Sequence, residues 1–151
     1  DINFAAHLPI YPPCMVKPDK MQFSSSPMHI LIGELDDWVP AEPCNEIVAE
    51  LKELGHNIDI TVYPESHHGY DRQGDEVFIE HAYSFKDCSL SLNNDGVVVS
   101  NNINFPLFSP VMQKIGLFFC AERGSTIGGN DVARKASEIF ALEFMNLHLN
   151  N

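Results

Sequence analysis

Cationic side chains are scarce in this chain: nine Lys and Arg stand against 21 Asp and Glu, a net charge of -12 at pH 7. A phosphate backbone rewards clustered Lys and Arg, so the balance disfavours nucleic acid as a partner. No apolar run approaches the ~20 residues of a membrane-spanning helix. No signal peptide is legible either, because no basic segment leads into an apolar stretch at the amino end. None of the four cysteines, Cys14, Cys44, Cys88 and Cys120, has CxxC spacing, which argues against a structural zinc site. Repeats are absent, and low complexity is confined to three serines at 24–26. What remains, 44% hydrophobic and 20% charged over 151 residues, suits one globular domain with a usable core.

The stretch 27–70 carries the organisation. Residues 29–33 are mostly apolar and end in Gly, followed by a loop with two carboxylates, which reads as a strand buried on both faces. Residues 42–54 place Ile47, Val48, Leu51 and Leu54 on one helical face, with acids in the first turns and Gly55 just beyond. Residues 58–63 are rich in β-branched side chains and stop at Pro64, a second strand. A helical crossover makes the two strands parallel, so both open onto one edge of the sheet.

At that edge Asp36 and Asp37 follow the first strand, and His67 and His68 follow the second. Neighbouring strands lie roughly 5 Å apart, close enough for carboxylate and imidazole to meet where open α/β sheets bind ligands. A carboxylate holding one imidazole nitrogen frees the other as a base. Position alone does not separate Asp36 from Asp37, which can equally cap the next turn. A metal cluster of His67, His68 and His81 with Asp36 or Asp71 is disfavoured, because adjacent histidines rarely ligate one ion. Trp38 and Tyr70 either line an apolar substrate pocket or pack the two loops together.

Residue by residue the stretch resembles the dienelactone hydrolase family of α/β-hydrolases. In GELDDWVP (33–40), Asp36 falls at the family's triad acid; in YPESHHGY (63–70), His68 falls at the triad base, just before Gly69 and an aromatic. YPPC (11–14) and STIGGNDVAR (125–134) extend the likeness. The resemblance implies a carboxylic ester or lactone as small-molecule substrate, a Cys or Ser nucleophile, and no cofactor. The order acid then base also fits α/β-hydrolases, but their nucleophile elbow, GxSxG or GxCxG, occurs nowhere in these residues. The segment 124–128 has Ser125 directly beside Gly124, downstream of the histidine, and reads as a loop. The expectation is therefore the C-terminal half of an α/β-hydrolase domain, three parallel strands with flanking helices, whose nucleophile and first half lie outside this sequence.

Residues 4–11 read as the third strand, with Pro9 a warning against pairing on both sides. Residues 15–26 and 71–81 read as loops. Residues 82–100 read as an inserted hairpin turning at 93–96, one that covers the sheet edge or walls the cleft. A short, well-buried helix is expected over 111–121. In the last helix, capped by Asn130, the expected inner face is Val132, Ala136, Ile139, Phe140, Phe144 and Leu147. Cys14 and Cys44 fall near one sheet edge and can bridge; the alternative is four buried free thiols. A bridge would favour a periplasmic or secreted setting over a cytoplasmic one. The competing function is a non-catalytic interaction domain that pairs its exposed strand at 4–11 with a partner chain.

Overall fold

A computed structural model describes residues 4–149. In chain order the elements are β1 (Val16–Pro18), β2 (Met28–Gly33), α1 (Ala41–Glu53), β3 (Ile58–Tyr63), β4 (Val77–Ser84), β5 (Leu90–Leu92), β6 (Val98–Ser100), β7 (Phe105–Pro106), α2 (Pro110–Phe118), β8 (Glu122–Ile127) and α3 (Asp131–Leu149).

Strands β2 and β3 pair in parallel from Met28 opposite Ile58 to Gly33 opposite Tyr63, joined by α1. Because side chains alternate along a strand, Ile30 and Ile32 of β2 face Cys44, Ile47, Val48 and Leu51 of α1. Leu31 faces the other way, into a cluster with Tyr63, Tyr70 and Ala133 of α3. The sheet is thus covered by a helix on each face, which accounts for the uninterrupted apolar run of β2. Helix α1 stops where Gly55, at φ 87°, turns its amide back to the Lys52 carbonyl at 3.0 Å, a conformation that favours glycine.

Residues 7–11 run parallel along the other side of β2. The His7 amide donates to Pro27 O (2.8 Å), His29 N to His7 O (2.9 Å), Leu31 N to Pro9 O (2.9 Å) and Tyr11 N to Leu31 O (2.7 Å). Pro9 has no N–H to continue the series, so the contact is two isolated bridges instead of a ladder.

The second half of the chain departs from expectation in several places. Residues 77–84 form β4, which pairs antiparallel with β8, so the polar stretch before the hairpin is partly strand and the Ser125 segment is strand too. The periodicity there is masked because β4 is solvent-facing along most of its length. The hairpin forms between β5 and β6, its turn held by Asn93 Oδ1 accepting from Asp95 N and Val97 N at 3.0 and 2.9 Å. It is widened by β7 and by β1, so part of the expected loop 15–26 is strand.

Helix α2 is not well buried: Val111, Ile115 and Phe118 are exposed, and Gly116 is its buried residue. In α3 the inner face is rotated from the expected one. Ala133 and Ser137 are buried, while Val132 and Ile139 are exposed. The wholly buried Tyr70 ring and Ala133 share one cluster, and small residues are what allow the helix so close.

All four cysteines are bridged, Cys14 to Cys44 and Cys88 to Cys120. The first joins the exit of residues 7–11 to α1. The second closes a small separate core with Leu90 and Leu107. Among the described residues, no helix is long and apolar enough to cross a membrane.

Candidate functional site

The loops that leave β2 and β3 remain tied to each other beyond the strand ends. Glu34 N donates to Tyr63 O and Leu35 N to Ser66 O, both at 2.9 Å. This continuation carries Asp36 and His68 to the same rim, with Asp36 Oδ2 2.9 Å from His68 Nδ1. The Asp36 side chain is fully buried and that of His68 is 22% exposed. Asp36 Oδ1 accepts from Val39 N at 2.8 Å and Trp38 N at 3.0 Å. Two amides and an imidazole thus compensate the burial of the carboxylate. With Asp36 ionised, Nδ1 must be the donor, and Nε2 is left as an acceptor that has no hydrogen-bond partner among the described residues.

The neighbouring acid and histidine go elsewhere. Asp37 turns toward β8 and accepts from Thr126 N with both oxygens, at 2.9 and 3.1 Å, and its carbonyl accepts from the Ser84 hydroxyl. It anchors β4 and β8 beside the acid loop, and Phe85 N adds a bond to Trp38 O at 3.2 Å. His67 Nδ1 is buried and has no hydrogen-bond partner among the described residues. Among the described residues, no three His, Cys, Asp or Glu side chains are grouped to hold a metal.

Two aromatic rings flank His68: Tyr11 at 4.4 Å and Trp38 at 5.0 Å between ring centroids. Trp38 is half-buried beside the imidazole. Tyr70, the other aromatic singled out above, is fully buried and packs on Tyr63 at 5.0 Å and Tyr11 at 6.0 Å, so it lies in the layer behind the pair. Burial, ahead of the neighbouring Tyr63, pushes its phenol far above the ordinary range. Tyr11 was not among the candidate residues, although YPPC marked its position. Its phenol donates to Asp71 Oδ1 at 3.2 Å, and burial, reinforced by Asp71, pushes its pKa up so that it stays protonated.

The base-bearing loop is held from both ends by Asn130. Its Nδ2 donates to Glu65 O at 3.0 Å and its amide to Tyr70 O at 2.9 Å, while Oδ1 caps α3 by accepting from Val132 N and Ala133 N. A cavity of about 540 Å³ between α2 and β4 is lined by Tyr83, Leu117, Phe118 and Arg123 and by neither member of the pair.

A buried acid on one parallel strand's exit loop, hydrogen-bonded to an imidazole on the next, is an arrangement of hydrolases with an open α/β sheet. The dienelactone hydrolase family model matches residues 2–91, more than half of the chain and a span containing both Asp36 and His68. The chain belongs to the dienelactone hydrolase family, whose members have the α/β-hydrolase fold and act as hydrolases on small molecules. No curated protein and no solved structure matches it.

Proposed function

We propose that this chain supplies the acid and base of a Cys/Ser-His-Asp triad in a carboxylic ester or lactone hydrolase. The observation that carries the reading is the 2.9 Å contact between buried Asp36 and Nδ1 of the partly exposed His68, which leaves Nε2 without a hydrogen-bond partner among the described residues. The nucleophile would come from residues outside this sequence, on the first half of the same domain, since no GxSxG or GxCxG occurs in the 151 residues. All four cysteines are tied up in bridges, so none offers a thiol.

His68 Nε2 takes the proton of the thiol or hydroxyl as it attacks the substrate carbonyl carbon. The tetrahedral adduct collapses with loss of the alkoxide, which receives that proton from Nε2, leaving an acyl-enzyme. With a lactone the alkoxide stays tethered to the acyl group. Water, deprotonated by Nε2, then releases the acid and restores the nucleophile. Asp36 keeps His68 in the Nδ1–H tautomer and stabilises the imidazolium at both stages. The oxyanion donors belong to the same absent segment as the nucleophile.

The test compares the 151-residue chain with the protein extended upstream, using p-nitrophenyl acetate. The chain alone should be no faster than buffer, and the extended protein active. In the latter, Asp36→Ala and His68→Ala should each cost on the order of 10³–10⁴ in kcat. Turnover by the chain alone that vanishes in Asp36→Ala would mean a nucleophile within it.

The second reading, an interaction domain without catalysis, rests on the outer edge of residues 4–11, which pairs with no strand among the described residues and where Phe4 is 71% exposed. It predicts that an extended partner strand binds there whether or not His68 is present. A start codon immediately upstream of the Asp1 codon would favour it, and an upstream elbow the enzyme.

A further inference from the structure

Tyr11 is held in a backbone conformation that its own chemistry disfavours. Its φ is 39°, in the left-handed region avoided by bulky side chains, and it precedes Pro12, which narrows the choice further. Such an outlier persists only where its surroundings dictate it. Its amide is still bound to Leu31 O at 2.7 Å, so the turn occurs abruptly at the end of the pairing with β2. Three residues on, Cys14 is tied to Cys44 of α1, which fixes where the chain must go next.

The result of that turn is that the ring swings over the sheet rim. It lies 4.4 Å from the His68 ring and edge-on to Tyr70 at 6.0 Å, with its hydroxyl bonded to Asp71 at 3.2 Å. Trp38 approaches the same imidazole at 5.0 Å. From this we infer that Tyr11 is a positioning residue: its ring, bent over the rim by a strained turn, holds the His68 imidazole in line with Asp36. The inference rests on the triad reading for its kinetic consequence, but the contact itself can be tested without turnover.

Two substitutions separate the ring from its hydroxyl. Tyr11→Gly relieves the left-handed φ and removes the ring; Tyr11→Phe keeps the ring and removes the bond to Asp71. In the chain itself, the proton NMR signal of the His68 Nδ1–H bound to Asp36, assigned by its loss in His68→Gln, should be seen in wild type and in Tyr11→Phe. It should be broadened away by solvent exchange in Tyr11→Gly. In the hydrolase extended upstream, Tyr11→Gly should lower kcat about tenfold or more with KM changed less than about twofold, and Tyr11→Phe should recover most of the rate.

A Tyr11→Gly protein with a sharp Nδ1–H signal and wild-type kcat would overturn the inference, leaving Tyr11 as a mere turn. So would equal loss in Gly and Phe variants, which would transfer the role to the hydroxyl, or a wild-type chain without the signal. An inactive wild-type hydrolase with the expected NMR pattern would instead sink the triad reading and spare the positioning contact.

Discussion

The carbonyl of Ser66 occupies the space where a side chain on Gly33 would begin: a Cβ at residue 33 would lie 2.2 Å from that oxygen. The absence of a side chain at the end of β2 lets the two exit loops close on each other and share the Leu35 to Ser66 bond. The obstacle is backbone, which cannot rotate away. Gly33→Ala should therefore cost about 1–3 kcal/mol, measurable by urea denaturation. It should also lengthen the contact between Asp36 and His68, weakening the Nδ1–H proton signal.

The two adjacent aspartates have separate tasks, and substitution should expose the difference. Asp37→Asn keeps one acceptor for Thr126 N and leaves the pair of Asp36 and His68 untouched. Under the triad reading its esterase activity should stay within about tenfold of wild type, while Asp36→Asn should lose roughly 10⁴ because the imidazole tautomer is no longer fixed. Parallel kinetics on the two variants decide the matter; equal losses would mean that Asp37 shares the role.

Asn130 links the start of α3 to both ends of the loop that carries His68. Removing its side chain loses the cap and the bond to Glu65 O together. Asn130→Ala should lower stability by about 1–2 kcal/mol. Hydrogen exchange should speed up over residues 65–70 more than in β2, because the loop loses a tether that the strand does not share.

His29 gives the fold a predictable acid sensitivity. Its Nε2 lies 2.8 Å from Thr61 Oγ1, and its ring packs at a tilt against Phe140, with 4.3 Å between centroids. Burial lowers its pKa, against a smaller upward pull from Asp59. The unfolded chain therefore takes up a proton at this site more readily than the folded one. The stabilisation is fully present above the ordinary histidine value of about 6.5 and is lost as pH falls through that value toward the folded pKa. The side chain is only half-buried, so the effect is reduced by solvent. Urea midpoints between about pH 5 and 7 should fall with acidity in wild type and fall less steeply in His29→Gln.

The crossover of 27–70 was legible in the sequence because its signals agree: the apolar run of β2, the spacing of Ile47, Val48 and Leu51, and Pro64 as a stop each point to the same unit. Position along the chain did not separate Asp36 from Asp37, since both acids leave the same strand; the family resemblance pointed to Asp36, and it is Asp36 whose Oδ2 lies 2.9 Å from His68 Nδ1. Tyr11 was hidden for another reason. Its importance lies in a backbone angle and in a neighbour 57 positions away, and neither is written in local periodicity. Helix α2 shows the limit of composition: Phe118 and Phe119 are as apolar as any core residue, yet they are exposed on the described chain. Hydrophobicity reports a tendency to be covered, without saying by what.

The bridge between Cys14 and Cys44 spans the exposed stretch around Asp19, Lys20 and Gln22. A cut after Lys20 would consequently release nothing. The amino-terminal piece, with Tyr11 on it, would remain covalently fastened to α1, and brief trypsin treatment should produce two fragments on a gel only after reduction. A nick in that surface loop is then a lesion the rim survives, so long as its sulfurs stay joined.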